Sequence, residues 1–110
     1  MTREEIEKQI TGRMPLDEFL QIHERLAILR KDEDMKLNAL AELQKAYLSA
    51  NTDEQRDMVK DAVAQIREIS RKTREEIRAL NSKIYERMPL AEAKQLYEQY
   101  LTAKTPGTQS

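Results

Sequence analysis

The chain has 110 residues, enough for one domain. Thirty-five per cent are charged and 39% hydrophobic, with 19 Lys and Arg set against 20 Asp and Glu; an ordinary soluble protein carries about 25% charged residues, so charge is plentiful and core material scarce. Two Gly, three Pro, four Tyr and one Phe leave little for a sandwich, a barrel or a loop-built active site, and the absence of Cys excludes disulfides, thiolate metal centres and cysteine nucleophiles.

Taken in chain order, the first signal is Thr2 followed by Glu5, the spacing of a capping box. Ile6 and Ile10 then share one face of a short helix that Gly12 is placed to stop. Pro15 suits the first turn of the next helix, and no Gly or Pro follows until Ala50. Thr52 and Gln55 repeat the capping-box spacing, and a second unbroken stretch runs from Asp53 to Met88. Pro89 separates it from a last helix. The spacing predicts helices over about 3–11, 15–50, 53–88 and 90–103, forming one helical domain over residues 1–104, with a flexible polar tail at 105–110.

The apolar pattern agrees with these breaks. Phe19, Ile22, Leu26, Leu29, Leu40, Leu43 and Tyr47 follow a three-and-four series interrupted by Glu33 and Lys36. Val59, Val63, Ile66, Thr73, Ile77, Leu80, Ile84 and Met88 follow the same series, with Ser70 as its polar exception. Such spacing marks long amphipathic helices with a coiled-coil-like seam. A short turn near Asn51 forces them antiparallel, which sets Leu40 opposite Val63 and Leu43 opposite Val59. The same register lays Asp32, Glu33 and Asp34 beside Arg71, Lys72 and Arg74, an arrangement that would penalise a slipped alignment. The predicted fold is therefore all-α: an antiparallel two-helix hairpin with short N- and C-terminal helices at its open end, completed as a helical bundle by dimerisation. Arg13-Met14-Pro15-Leu16 also recurs as Arg87-Met88-Pro89-Leu90, a pair of junctions that the hairpin brings to the same end.

Two long helices cannot cover all the apolar residues present. Ile6, Ile10, Leu20, Ile28, Leu37, Leu48, Met58 and Ile69 fall beside or off the main seam, and apolar surface of this kind marks contact surfaces. The last helix adds a stripe of Leu90, Leu96, Tyr97, Tyr100 and Leu101, which is either a partner-binding surface or packing for the hairpin's open end. On the second long helix Arg67, Arg71, Arg74 and Arg78 form a basic ridge that could follow a phosphate backbone or an acidic partner.

Catalytic groups are few. His23 is the one imidazole and sits beside the Phe19 face. Asp53, Asp57 and Asp61 form an acidic ridge of the kind that favours a helix N-terminus. No pattern for a zinc protease, a serine hydrolase or a phosphate loop is present. No enzyme activity, cofactor, metal or small-molecule substrate is expected. No stretch is apolar enough to span a membrane, and the first ten residues are too charged for a secretory signal, so the expected setting is the cytoplasm.

The run Ser82-Lys83-Ile84-Tyr85-Glu86-Arg87-Met88-Pro89 is similar, with three identities, to an Asn-Lys-Leu-Tyr-Asp-Lys-Ile-Pro run in the Hha/YmoA group of small bacterial nucleoid modulators. That group is shorter and lacks a comparable hairpin, and the likeness carries no site residue across. In style, a short, Cys-free, highly charged hairpin resembles accessory proteins of bacteriophages and mobile elements. The expected function is a small non-enzymatic protein–protein interaction module, an assembly chaperone, adaptor or inhibitor, that binds a partner protein or itself. The alternative is a nucleic-acid-associated regulator using the basic ridge.

Overall fold

The computed structural model describes residues 2–103, in which the chain forms α1 (Arg3–Thr11), α2 (Leu16–Ser49), α3 (Asp53–Tyr85) and α4 (Leu90–Ala103). The fold is all-α, with α2 and α3 packed as a hairpin. None of these helices is long and apolar enough to cross a membrane. The tail expected at 105–110 lies outside the described residues.

Both N-caps form, though neither N3 side chain accepts from the N-cap amide as a full capping box would have it. The Thr2 hydroxyl accepts from the Glu5 amide at 3.2 Å and donates to the Glu5 carboxylate. The Thr52 hydroxyl accepts from the Gln55 amide at 3.1 Å, while the Gln55 side chain reaches back to the Asn51 amide at 2.8 Å. Otherwise unpaired donors of each first turn are thereby satisfied.

Helix α3 ends at Tyr85, three residues before the expected Met88. The reason lies in the repeated tetrapeptide. After α1, the Arg13 and Met14 amides both donate to the Ile10 carbonyl; after α3, the Arg87 and Met88 amides both donate to the Ile84 carbonyl. Each proline then caps the following helix with its carbonyl, which accepts from Phe19 in one case and Ala93 in the other. The two Arg-Met-Pro-Leu junctions are thus the same turn, built twice. A proline disfavours helical backbone in the residue before it, so each helix tightens and stops short of it. Gly12 is the C-cap of α1, as expected, but its backbone is right-handed helical and its counterpart in the second turn is Glu86, so the stop does not depend on a glycine. A Cβ added at Gly12 would meet the Lys8 carbonyl at an ordinary 3.4 Å. Gly12→Ala is accordingly expected to stabilise the protein by about 0.4–1 kcal/mol through the unfolded chain, read as a higher denaturation midpoint.

The contacts divide the chain into two compact units. One, the terminal unit, comprises the residues up to Leu26 and those from Ala79 onward; the other, the hairpin unit, is Ala27–Arg78.

In the terminal unit the repetition extends from turns to core. Ile10, Met14, Ile22 and Leu26 are buried, and so are their counterparts Ile84, Met88, Leu96 and Tyr100. Phe19, wholly buried, corresponds to buried Ala93. Helix α1 packs on α4, fixed by an Arg3 guanidinium that donates to the Tyr100 hydroxyl at 2.9 Å, and by the Arg13–Glu92 ion pair. His23 is a packed residue. Its Nδ1 bonds the Phe19 carbonyl at 3.0 Å, and its ring stacks on Tyr97 at 4.6 Å.

The hairpin unit is much more open. Its buried residues are Leu29, Ser70 and Thr73, and two of these are polar. The interruptions of the two apolar series meet each other: Ser70 donates to the Glu33 carboxylate, and Lys36 donates to the Thr73 hydroxyl at 2.8 Å. The expected matching of charges across the helices is mostly replaced by pairing along them. Asp32 binds Lys36 at 2.8 Å, and Arg71 binds Glu68 and Glu75. One cross-helix ion pair, Arg74 with Glu33, is long at 3.8 Å. Partners three or four residues apart on one helix are already adjacent, so they outcompete a neighbour across the seam.

Candidate interaction surface

The surface begins with what the seam of the hairpin unit fails to cover. Leu40, Leu43, Val59, Val63 and Ile66 point along the α2–α3 contact, as the register requires, yet each is merely half-buried. On one side Leu40, Leu43, Val59 and Val63 floor an open groove of about 730 Å³. Ala41 and Ala64 keep that groove open because neither fills the space above the seam. Its α2 rim is Leu37, Gln44 and Tyr47; its α3 rim is Lys60 and Arg67, with the Lys60 ammonium 5.9 Å from the centre of the Tyr47 ring. Farther along, Glu33 and Arg71 line a second hollow of about 490 Å³ beside Ser70 and Arg74. One Glu33 oxygen, Oε2, is buried there with no hydrogen-bond partner among the described residues.

The basic ridge of Arg67, Arg71, Arg74 and Arg78 lies exposed along this flank of α3. Neighbouring carboxylates offset part of its charge at Arg71 and Arg74. Arg71 is held between Glu68 and Glu75, which push its guanidinium pKa upward chiefly through the Glu68 hydrogen bond, and Arg74 faces Glu33. Asp53 of the acidic ridge is bonded by Arg56 at 2.7 Å. Among the described residues no three acidic or imidazole groups gather around a common point.

The α4 stripe is divided by the fold. Leu96 and Tyr100 are buried in the terminal unit, and Tyr97 is half-buried against His23. Leu90 and Leu101 remain exposed. Two of the five side chains are therefore in the core of the terminal unit and a third is partly covered by it, as short helices need tertiary packing to hold their shape. Burial, with a smaller contribution from Glu24, raises the Tyr97 phenol pKa above its ordinary value. An unfolded chain then loses that proton first as pH rises. The stabilisation is complete below the ordinary tyrosine pKa near 10 and is lost as pH climbs through the folded value. Tyr97→Phe is expected to flatten the alkaline fall in melting temperature, measured between pH 8 and 11.

Of the residues placed beside or off the seam by the sequence, Ile28, Leu37, Leu48, Met58 and Ile69 are exposed, Leu20 is half-buried, and Ile6 and Ile10 are buried in the terminal unit. Sequence reasoning passed over Met35, and over the alanines that shape both sides of the hairpin: Ala41 and Ala64 in the groove, Ala39 and Ala62 opposite. Their signal was present, since each sits beside the seam at helical spacing. Comparison with protein-family models, curated proteins and solved structures gave no match to this chain.

Proposed function

We propose that the chain is a non-enzymatic helical interaction module that works by docking another helical surface on its hairpin unit. The observation that carries this reading is the half-covered seam: from residue 30 to residue 69 no side chain is buried, although Leu40, Leu43, Val59, Val63 and Ile66 lie on the helix–helix contact. Full burial of one such side chain stabilises by about 1.5–3 kcal/mol, so a docked surface gains what the hairpin alone leaves unused. The terminal unit, with its closed core, then serves as the folded anchor. Such a module suits an assembly chaperone, an adaptor or an inhibitor, in the manner of phage or mobile-element accessory proteins, and a Cys-free chain suits the reducing cytoplasm.

Hydrogen exchange tests this. In dilute protein, amides of residues 40–66 are expected to exchange far faster than those around Phe19 and Ile84, because the former open locally without disturbing a closed core. Protection of 40–66 should rise on association. Strong protection in a monomer at the lowest usable concentration would show that the hairpin needs no partner and would remove the proposal.

A further inference from the structure

We infer that the groove of the hairpin unit takes an amphipathic helix of another protein, one whose apolar stripe is flanked on one side by carboxylates. This rests on the reading that the hairpin unit is an interaction surface, and it names the partner's chemistry. The floor supplies the apolar half of the match. Leu40, Leu43, Val59 and Val63 line the groove and are half-buried. Ala41 and Ala64 are exposed at its edges, which leaves room there for large side chains of an incoming helix, laid in at spacings of three and four. The groove and the neighbouring hollow share Leu37, Leu40, Ala64 and Arg67, so they form one trough. From Lys60 to Arg74 that trough is roughly 21 Å long, the length of an ordinary helix of about four turns.

Charge selects which amphipathic helix. The charged side chains along the trough are Lys60, Arg67, Arg71 and Arg74 against Glu33 and Glu68. Cations therefore outnumber carboxylates here, in a chain whose net charge is −1. Arg71 is already held by Glu68 and Glu75, and Arg74 faces Glu33. The surplus falls on Lys60 and Arg67, which have no ion pair among the described residues. Both line the groove itself, and no carboxylate among the described residues does. They stand seven residues apart on α3, two turns or roughly 10 Å, and so form one row. The Lys60 ammonium lies 5.9 Å from the centre of the Tyr47 ring, which holds its charge over the groove. The α2 bank of Leu37, Gln44 and Tyr47 carries no charge. An occupant thus meets cations on one flank and neutral groups on the other. A helix with Asp or Glu at two positions seven apart beside its apolar stripe complements both. A nucleic acid would pair with the cations but leave the leucines and valines of the floor without an apolar partner.

A display library of helical peptides of about 18 residues, five turns, tests this on the full chain, with leucine fixed along one face and both flanks randomised. Selected peptides should carry Asp or Glu at positions seven apart on one flank. Their binding should weaken as salt is raised and fall at least about tenfold with Lys60→Glu or Arg67→Glu. A second selection, on the double variant K60E/R67E, should enrich Lys or Arg at those positions, a reversal that loss of folding cannot imitate. Ala41→Trp, which fills the groove from an exposed position, should block the peptides. Met58→Gln, at an exposed side chain on the other face, should not. Selection without binders, binders with no acidic preference, or binders indifferent to the charge reversal or to Ala41→Trp would each overturn the inference. So would a dimer that Ala41→Trp dissociates, or a DNA or RNA duplex bound through Lys60 and Arg67 in place of peptide. The wider reading fails separately: binders with neutral or basic flanks that raise protection of residues 40–66 keep it, whereas a monomer already protected there loses both.

Discussion

Replacing Phe19 by alanine is expected to cost about 3–5 kcal/mol, the range for a large aromatic removed from a closed core. Phe19 has no exposed surface. Its ring lies 4.3 Å from that of His23 and meets Tyr97 edge-on at 6.3 Å, so a single side chain joins the start of α2 to α4. The duplicated architecture makes the loss harder to absorb. The equivalent position in the second turn is Ala93, already small and buried, so the core holds one large and one small residue at its two matching places. Truncating the large one leaves two small ones and a cavity between fixed backbones.

That cost is a sizeable share of the ~5–15 kcal/mol by which a domain is stable. It should appear as a denaturant midpoint far below that of the unmodified chain. Leu48→Ala, at a side chain 77% exposed near the hairpin turn, should change stability by no more than about 0.5 kcal/mol. The measurement is chemical denaturation of both variants followed by circular dichroism. Equal effects at the two positions would mean that the terminal unit is not the stable part of the molecule.

The contrast between these two positions follows what the sequence could reveal. Helix starts were legible because capping is local: Thr2 with Glu5 and Thr52 with Gln55 carry their own partners within one turn. The seam was legible because three-and-four spacing is a property of one helix, and a short turn leaves a single way to pair two of them. Leu40 and Val63 consequently line the same groove. Other features depend on competition between distant groups. The α4 stripe announces that Leu96 and Tyr100 must be covered, but nothing in their spacing says whether α1 and α2 or another protein covers them. Asp32 and Arg71 carry opposite signs at matching places on two helices, yet each has a closer partner on its own helix. The end of α3 was misplaced for a related reason: the tetrapeptide before Pro89 reads as helix until its twin after α1 shows that it folds as a turn.

Ser70→Ala is expected to destabilise the hairpin by about 1.5–3 kcal/mol, the range for a hydrogen bond to a charged group in a partly buried site. The hydroxyl is the nearest donor to the Glu33 carboxylate. The side chain of Glu33 is just 16% exposed, and the guanidinium paired with it among the described residues, that of Arg74, stands 3.8 Å away. Since Oε2 already has no hydrogen-bond partner among the described residues, deleting the hydroxyl strips the carboxylate of its one short contact across the seam. Removing both groups should behave differently. Glu33→Leu with Ser70→Ala replaces a polar layer by apolar contact, which is commonly neutral or stabilising, so the double variant should recover the loss and the two changes should be non-additive by at least about 1 kcal/mol. Additive losses would show that Glu33 and Ser70 act independently. Recovered stability should come with lost specificity. A seam of leucine, valine and isoleucine tolerates sliding by a turn, whereas one carboxylate and one hydroxyl bond only in one alignment, as polar positions fix register in coiled coils. Spin labels at Gln44 and Lys60, on facing rims of the groove, should give one narrow distance in the native chain. In the double variant that distribution should broaden, even as the hairpin melts at the same temperature or above.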